Sequence, residues 1–262
     1  MKVCLMIEGQ EGVSWDQWVA LARAAEDARL DALFRSDHYR AIGRGDPNGA
    51  LDAWGTICGL AAITSTIRLG TLVTPVTFRR PSVLAKLVTT ADHISGGRVE
   101  LGLGAGWYES EHTAYGFDFM TTTGRLDELD RQLAEITRQW TEADDIWPKP
   151  VQQPRPRIIV GGRAKPRTVA AAVTYADEYN TVWPTVDEAR ERKKRLDDAA
   201  EKAGRDPLRF SMMIELTGDA GELEEQLRAY ADAGVERVML QHLQHEDVER
   251  VAVLGEVAAR LR

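Results

Sequence analysis

Short apolar runs and amphipathic stretches alternate along the whole chain. Val3 to Glu8 reads as a strand. Trp15, Trp18, Val19, Ala22 and Ala25 then fall at helical spacing, and Ser14 with Gln17 makes a capping box before them. Asp31 to Ser36 is a second strand, followed by a helix from about Leu51 to Thr64. Arg68 to Thr74 is a third, ended by Pro75, and Pro81 opens a helix that runs to Ser95-Gly96-Gly97. Arg98 to Gly104 is the fourth strand. Leu126, Leu129, Leu133, Ile136 and Trp140 form the next helix stripe, which reads as core packing. Strands at Arg157–Val160, Glu178–Val182, Leu208–Ile214 and Val238–Leu240 alternate with four more helices.

These are eight strand–helix units at near-regular spacing. Such alternation predicts a parallel sheet, and eight units in about 250 residues match a (β/α)8 TIM barrel. A doubly wound sheet is the rival, but it seldom needs eight repeats. No linker or low-complexity tract divides the chain, so residues 1–262 read as one α/β domain.

A barrel of this kind carries its site at the C-terminal strand ends. The residues predicted there are Glu8, Asp37 and His38, then Leu72-Val73-Thr74, then Gly102 to Trp107 with Glu109 and Glu111 beyond. Gly161-Gly162-Arg163, Trp183, Glu215 and Gln241-His242 complete the ring. Acids, histidines, tryptophans and glycine turns thus converge on one mouth. Gly102-x-Gly104-x-Gly106 is not the dinucleotide fingerprint, which needs G-x-G-x-x-G opening a helix. It fits either close backbone packing or approach to a flat ring or phosphate. Gly161-Gly162-Arg163-Ala164-Lys165-Pro166-Arg167 frees a turn, opens a helix and adds cations, as a phosphate site requires. His93 falls at the opposite end of the barrel. His112 and His245 read as surface residues, Cys58 as core, and Glu191 to Arg195 as a solvated helix face.

A net charge of -8 argues against nucleic acid as a main partner. No apolar run approaches the ~18 residues that span a bilayer, so no membrane partner is expected. The N-terminal residues lack the features of a signal peptide. Cys4 and Cys58 show neither metal spacing nor a disulfide framework. A reduced cytoplasm is the expected location, and no metal is expected.

Four segments carry a family resemblance: Leu33 to His38, Arg68 to Pro75, Ser95 to Trp107 and Ile159 to Gly162. With them the chain resembles the bacterial luciferase-like family, and within it the oxidoreductases that use the deazaflavin F420. The resemblance covers nearly the whole chain and implies a (β/α)8 barrel. It implies that His38 accepts a substrate hydroxyl proton beside the ring, and that Asp37 contacts the ring system. Leu72-Val73 matches a bulge with a cis non-prolyl bond that backs the ring. Ala105 and Gly106 match a cofactor-side loop, and Gly161, Gly162, Arg163 and Ala164 the segment holding the cofactor phosphate. Arg167, or Arg79 and Arg80, would lie near the acidic tail. Glu111 resembles a site acid, with Glu8, Trp107 and Trp183 around the substrate.

The implied activity is hydride transfer between F420 and a small organic substrate. The alternatives are an FMN-dependent monooxygenase of the same family and a non-catalytic flavin-binding relative. An unrelated phosphate-binding isomerase or aldolase lacks a Schiff-base lysine on a strand here. A homodimer is the family expectation. The chain looks short for the family between Trp140 and Pro148 and after Glu215, where members often cover the substrate.

Overall fold

A computed structural model of the chain describes residues 1–43 and 49–261. The strand segments are β1 Lys2–Ile7, β2 Ala32–Arg35, β3 Arg68–Thr71, β4 Thr74–Pro75, β5 Val99–Gly104, β6 Arg157–Gly161, β7 Glu178–Val182, β8 Arg209–Glu215 and β9 Arg237–Gln241. The helices are α1 Trp15–Asp27, α2 Ala53–Ile63, α3 Pro81–Ser95, α4 Glu109–Tyr115, α5 Thr122–Thr141, α6 Pro166–Tyr175, α7 Val186–Lys202, α8 Ala220–Asp232 and α9 Val251–Arg260. All pairings are parallel. β1 lies between β2 and β9, and β3 meets β5, so the sheet closes on itself. The fold is a single-domain (β/α)8 barrel, as the alternation predicts.

From Val3 to Ile7, β1 is apolar because both of its faces are buried there. Val3, Leu5 and Ile7 pack outward with the helices, while Cys4 and Met6 join Phe34, Ile159, Met213 and Met239 inside the barrel. At the strand starts the interior holds charge instead of hydrocarbon. Glu100, Glu178 and Arg237 are all fully buried there. Arg237 Nη1 lies 2.7 Å from Glu100 and 3.1 Å from Glu178. No described helix is long and apolar enough to cross a membrane.

Four local expectations are corrected. The third barrel strand is not continuous from Arg68 to Thr74. It breaks into β3 and β4, both paired with β5, around the cis Leu72–Val73 peptide that the resemblance implies, and Pro75 pairs with Gly104 instead of ending it. Residues 109–115, between the fourth strand and the Leu126 stripe where no element was expected, form α4, closed by Gly116 in the left-handed region at φ 72°. In the charged run on α7, Arg192 is not solvated but turns inward to Thr181. Cys58 is half-buried on α2 and only packs against the core.

Candidate active site

The C-terminal strand ends surround one cavity of about 1190 Å³. Glu8, His38, Leu72, Val73, Ala105, Gly106, Trp107, Glu111, Gly161, Gly162, Arg163 and Trp183 all line it. Of the residues expected at this mouth, Asp37, Thr74, Gly102, Leu103, Glu109, Ala164 and His242 do not line it, nor do Arg79, Arg80 and Arg167, expected near an acidic tail.

His38 follows β2 in the loop toward α2. Its Nδ1 lies 2.9 Å from Glu111 Oε1. Glu111 sits in the first turn of α4 and is fully buried. Its other oxygen accepts the backbone N–H groups of Tyr39, at 2.6 Å, and Arg40, at 3.2 Å. A carboxylate can only accept, so Nδ1 carries the ring hydrogen. Nε2 is then the acceptor of the neutral ring, on a residue that lines the cavity. Trp107 and Tyr108 meet the His38 ring edge-on at 5.9 and 6.2 Å. The imidazole is therefore fixed in position and in tautomer.

Asp37, expected against the ring system, is spent elsewhere. It is buried and pairs with Arg79 Nη1 at 2.6 Å and accepts from Thr74 Oγ1 at 2.8 Å. Arg79 also binds Asp52, which in turn accepts from Tyr39 Oη at 2.7 Å. Burial opposes the Arg79 charge, but Asp37 and Asp52 hold its pKa above the ordinary arginine value. Burial likewise works against the Asp52 carboxylate, yet Arg79 and the Gly55 N–H pull its pKa below the usual range. Burial pushes the Tyr39 hydroxyl up. This cluster anchors the His38 loop to α2, whose N-cap is Asp52. It also removes Arg79 from the residues that could meet an acidic tail.

The glycines of β5 answer to the bulge. A Cβ on Gly102 would lie 2.0 Å from the Thr71 carbonyl oxygen, and one on Gly104 would lie 2.6 Å from Val73 Cγ2. Of the two meanings open to this run, close packing is the one these contacts carry. Across the cavity, the Gly161–Ala164 turn is held by Tyr179. Its hydroxyl accepts the Ala164 N–H at 2.8 Å and meets Thr168 Oγ1 at 2.9 Å. Ala164 is buried behind this turn with φ 49°, and its carbonyl accepts Arg195 Nη1. Its expected contact with a phosphate is thus corrected to support of the loop. Arg163 is exposed and lines the cavity, whereas Arg167 pairs with Asp127 and Asp130.

A model of the luciferase-like monooxygenase family matches residues 2–260. The chain belongs to this family. An uncharacterised protein of Mycobacterium tuberculosis is 30% identical over 253 residues, covering 91% of this chain and 83% of that one. Among solved structures, an F420-dependent secondary alcohol dehydrogenase in complex with an F420–acetone adduct has a TM-score of 0.85 at 17% identity, with 100% and 99% of the two chains covered. The oxygenating constituent of 3,6-diketocamphane monooxygenase from a Pseudomonas putida plasmid, in complex with FMN, has a TM-score of 0.81 at 15% identity, covering 98% and 97%. These two show that the luciferase-like barrel is shared; at such identities the likeness is one of fold.

Several residues of this luciferase-like cavity escaped sequence reasoning. His112 is not on the surface: it is 1% exposed, with Nδ1 2.8 Å from the Tyr108 carbonyl and Nε2 2.6 Å from Thr77 Oγ1. The signal was Gly116, a helix stop that would have made 109–115 a helix with one inward face. His245 is half-buried and lines the cavity. Gln10 and Asn180 carried no recognisable signal, because single amides in loops and strands have no pattern.

Proposed function

We propose that this luciferase-like protein is an F420-dependent oxidoreductase that moves a hydride between the deazaflavin and a small organic substrate, either an alcohol–carbonyl pair or an activated alkene. The observation that carries this reading is the His38–Glu111 pair: an imidazole fixed by a buried carboxylate, with Nε2 left for the cavity. The residues present fit a ring of this kind. The cavity exceeds the roughly 300–1,000 Å³ of common ligand sites, which leaves room for a ring and a substrate. Leu72 and Val73 offer an apolar wall. Arg163 would hold the phosphate, with the side-chain-free Gly161 and Gly162 leaving room for it at the strand end; the Gly162 N–H itself is given to the Asn180 carbonyl at 2.9 Å.

When bound, F420 supplies a hydride acceptor or donor. The chain handles the proton. His38 Nε2 takes the hydroxyl proton during alcohol oxidation and returns it during carbonyl reduction. Glu111 keeps the ring hydrogen on Nδ1, so Nε2 is the nitrogen free to accept. Trp107 and Trp183, 61% and 58% exposed, are the apolar surfaces available at the rim.

An FMN-dependent monooxygenase is the second reading, favoured by the FMN-bound enzyme that shares the barrel. The reading extends to a homodimer, supported by an α2 without charged residues and by exposed Ile63 and Val83. Sedimentation at micromolar concentration checks it, with a monomer contradicting it. The activity test is anaerobic incubation with F420 and a panel of secondary alcohols, ketones and enones, following F420 absorbance. Substrate-dependent reduction or reoxidation is expected. Turnover only with reduced FMN and oxygen would replace this reading by the second.

A further inference from the structure

The cavity wall is chemically lopsided. β8, β9 and β1 are neighbours in the barrel, and Glu215 is in register with Gln241. This sector ends in Glu8, Glu215 and Glu246, and it contributes no lysine or arginine among the described lining residues. Its imidazole, His245, stands 3.9 Å from Glu246. Arg163 follows β6, in the sector assigned above to the cofactor phosphate.

Glu8 is the centre of the acidic sector. Its carboxylate accepts Gln10 Nε2 at 2.8 Å and Gln241 Nε2 at 2.5 Å. Two neutral amides orient it, and no described residue forms an ion pair with it. Asn180, 1% exposed, lies on β7 between the two sectors, in register with Gly161. Its Nδ2 is used by Ser211 Oγ at 2.9 Å and Met239 Sδ at 3.4 Å. Its Oδ1 has no partner among the described residues, on a side chain that lines the cavity. The substrate side therefore presents acceptors: an oriented carboxylate and two further acids. Covering a carboxylate without supplying a cation or strong donors is costly, and an anion would be repelled.

We propose that the substrate carries a protonated nitrogen, an amine or amidine, which pairs with Glu8. This rests on the reading of the cavity as an oxidoreductase site, because it assigns the opposite wall to the cofactor.

The test compares three probes of one shape on the full-length protein at pH 7: cyclohexylamine, cyclohexanol and cyclohexanecarboxylate. Binding is read by tryptophan fluorescence, which Trp107 and Trp183 report from the rim, and checked by saturation-transfer NMR. The amine is expected to bind about tenfold or more tighter than the alcohol, with the carboxylate weakest. Glu8→Gln is expected to shrink the amine preference to within about threefold while leaving F420 and FMN titrations unchanged. Alcohol or carboxylate binding as tightly as the amine would overturn the proposal, as would an undiminished preference in Glu8→Gln. Should that variant fail to fold, the wild-type order of the three probes decides. Cofactor binding without amine preference removes this inference alone; amine preference without binding of either cofactor removes the oxidoreductase reading alone.

Discussion

Glu111 illustrates how one side chain sets the chemistry of another. Its Oε2 is claimed by the Tyr39 and Arg40 N–H groups, so only Oε1 faces His38. In Glu111→Gln the amide oxygen must take the Oε2 place to satisfy those two donors. The amide NH2 then faces His38 Nδ1 and forces the ring hydrogen onto Nε2. The variant has the shape of the wild type and the wrong tautomer. We expect Glu111→Gln and His38→Ala each to lower kcat for alcohol oxidation by about 100-fold or more. In His38→Ala cofactor affinity should change little. Unchanged turnover in either variant removes the proton-transfer role. At this scale the candidacy of His38 and Glu111 was legible, because an imidazole at the end of the second strand and an acid beyond the fourth are chemistry-bearing residues in a placeable position. The fate of Asp37 was not. Its partner Arg79 lies 42 residues later, and nothing local shows that a carboxylate beside the histidine points at an arginine.

The third barrel strand is the element on which the cavity depends. β3 and β4 both run along β5, and the Leu72–Val73 corner between them enters the cavity wall. Val73 can stand there because Gly104 and Gly161 lack side chains: a Cβ on the first would be 2.6 Å from Val73 Cγ2, and on the second 3.3 Å from Val73 Cγ1. Gly104→Ala should therefore destabilise the fold by about 1–3 kcal/mol, the usual range for overpacking. Val73→Ala in the same chain should recover part of the loss, since it removes the atoms in conflict. Urea unfolding of the two single variants and the double variant measures the coupling; strict additivity would contradict the contact. The apolar runs and helix stripes were enough to read the repeating units, because barrel strands are buried on both faces and helices on one. The seven-residue α4 was missed. It has no side-chain N-cap, and only Glu111 and His112 are buried on it, so its sequence reads as polar loop.

The whole barrel is plugged at one end by charge and open at the other. Arg237 is fully buried between Glu100 and Glu178, with Asp31 at 2.8 Å. Burial opposes the Glu100 charge, but Arg237, Arg68 and Arg157 draw its pKa down to about 2. Burial pushes Glu178 up. Arg237→Met leaves two buried acids without their shared partner and should cost about 3–5 kcal/mol. Because the Glu100 pKa is lower in the folded state, its contribution is complete above the ordinary glutamate range and disappears as pH falls through about 2. A variant as stable as wild type in denaturant at pH 7 would contradict this role. The plug leaves the C-terminal end as the place for chemistry, and there the central claim is that the cavity takes a deazaflavin. Its most direct test is equilibrium titration of the purified protein with F420 and with FMN, followed by cofactor fluorescence. Saturable binding of F420, tighter than FMN and weakened by Arg163→Ala, is the expected result. Binding of FMN in preference to F420, or of neither, would contradict it.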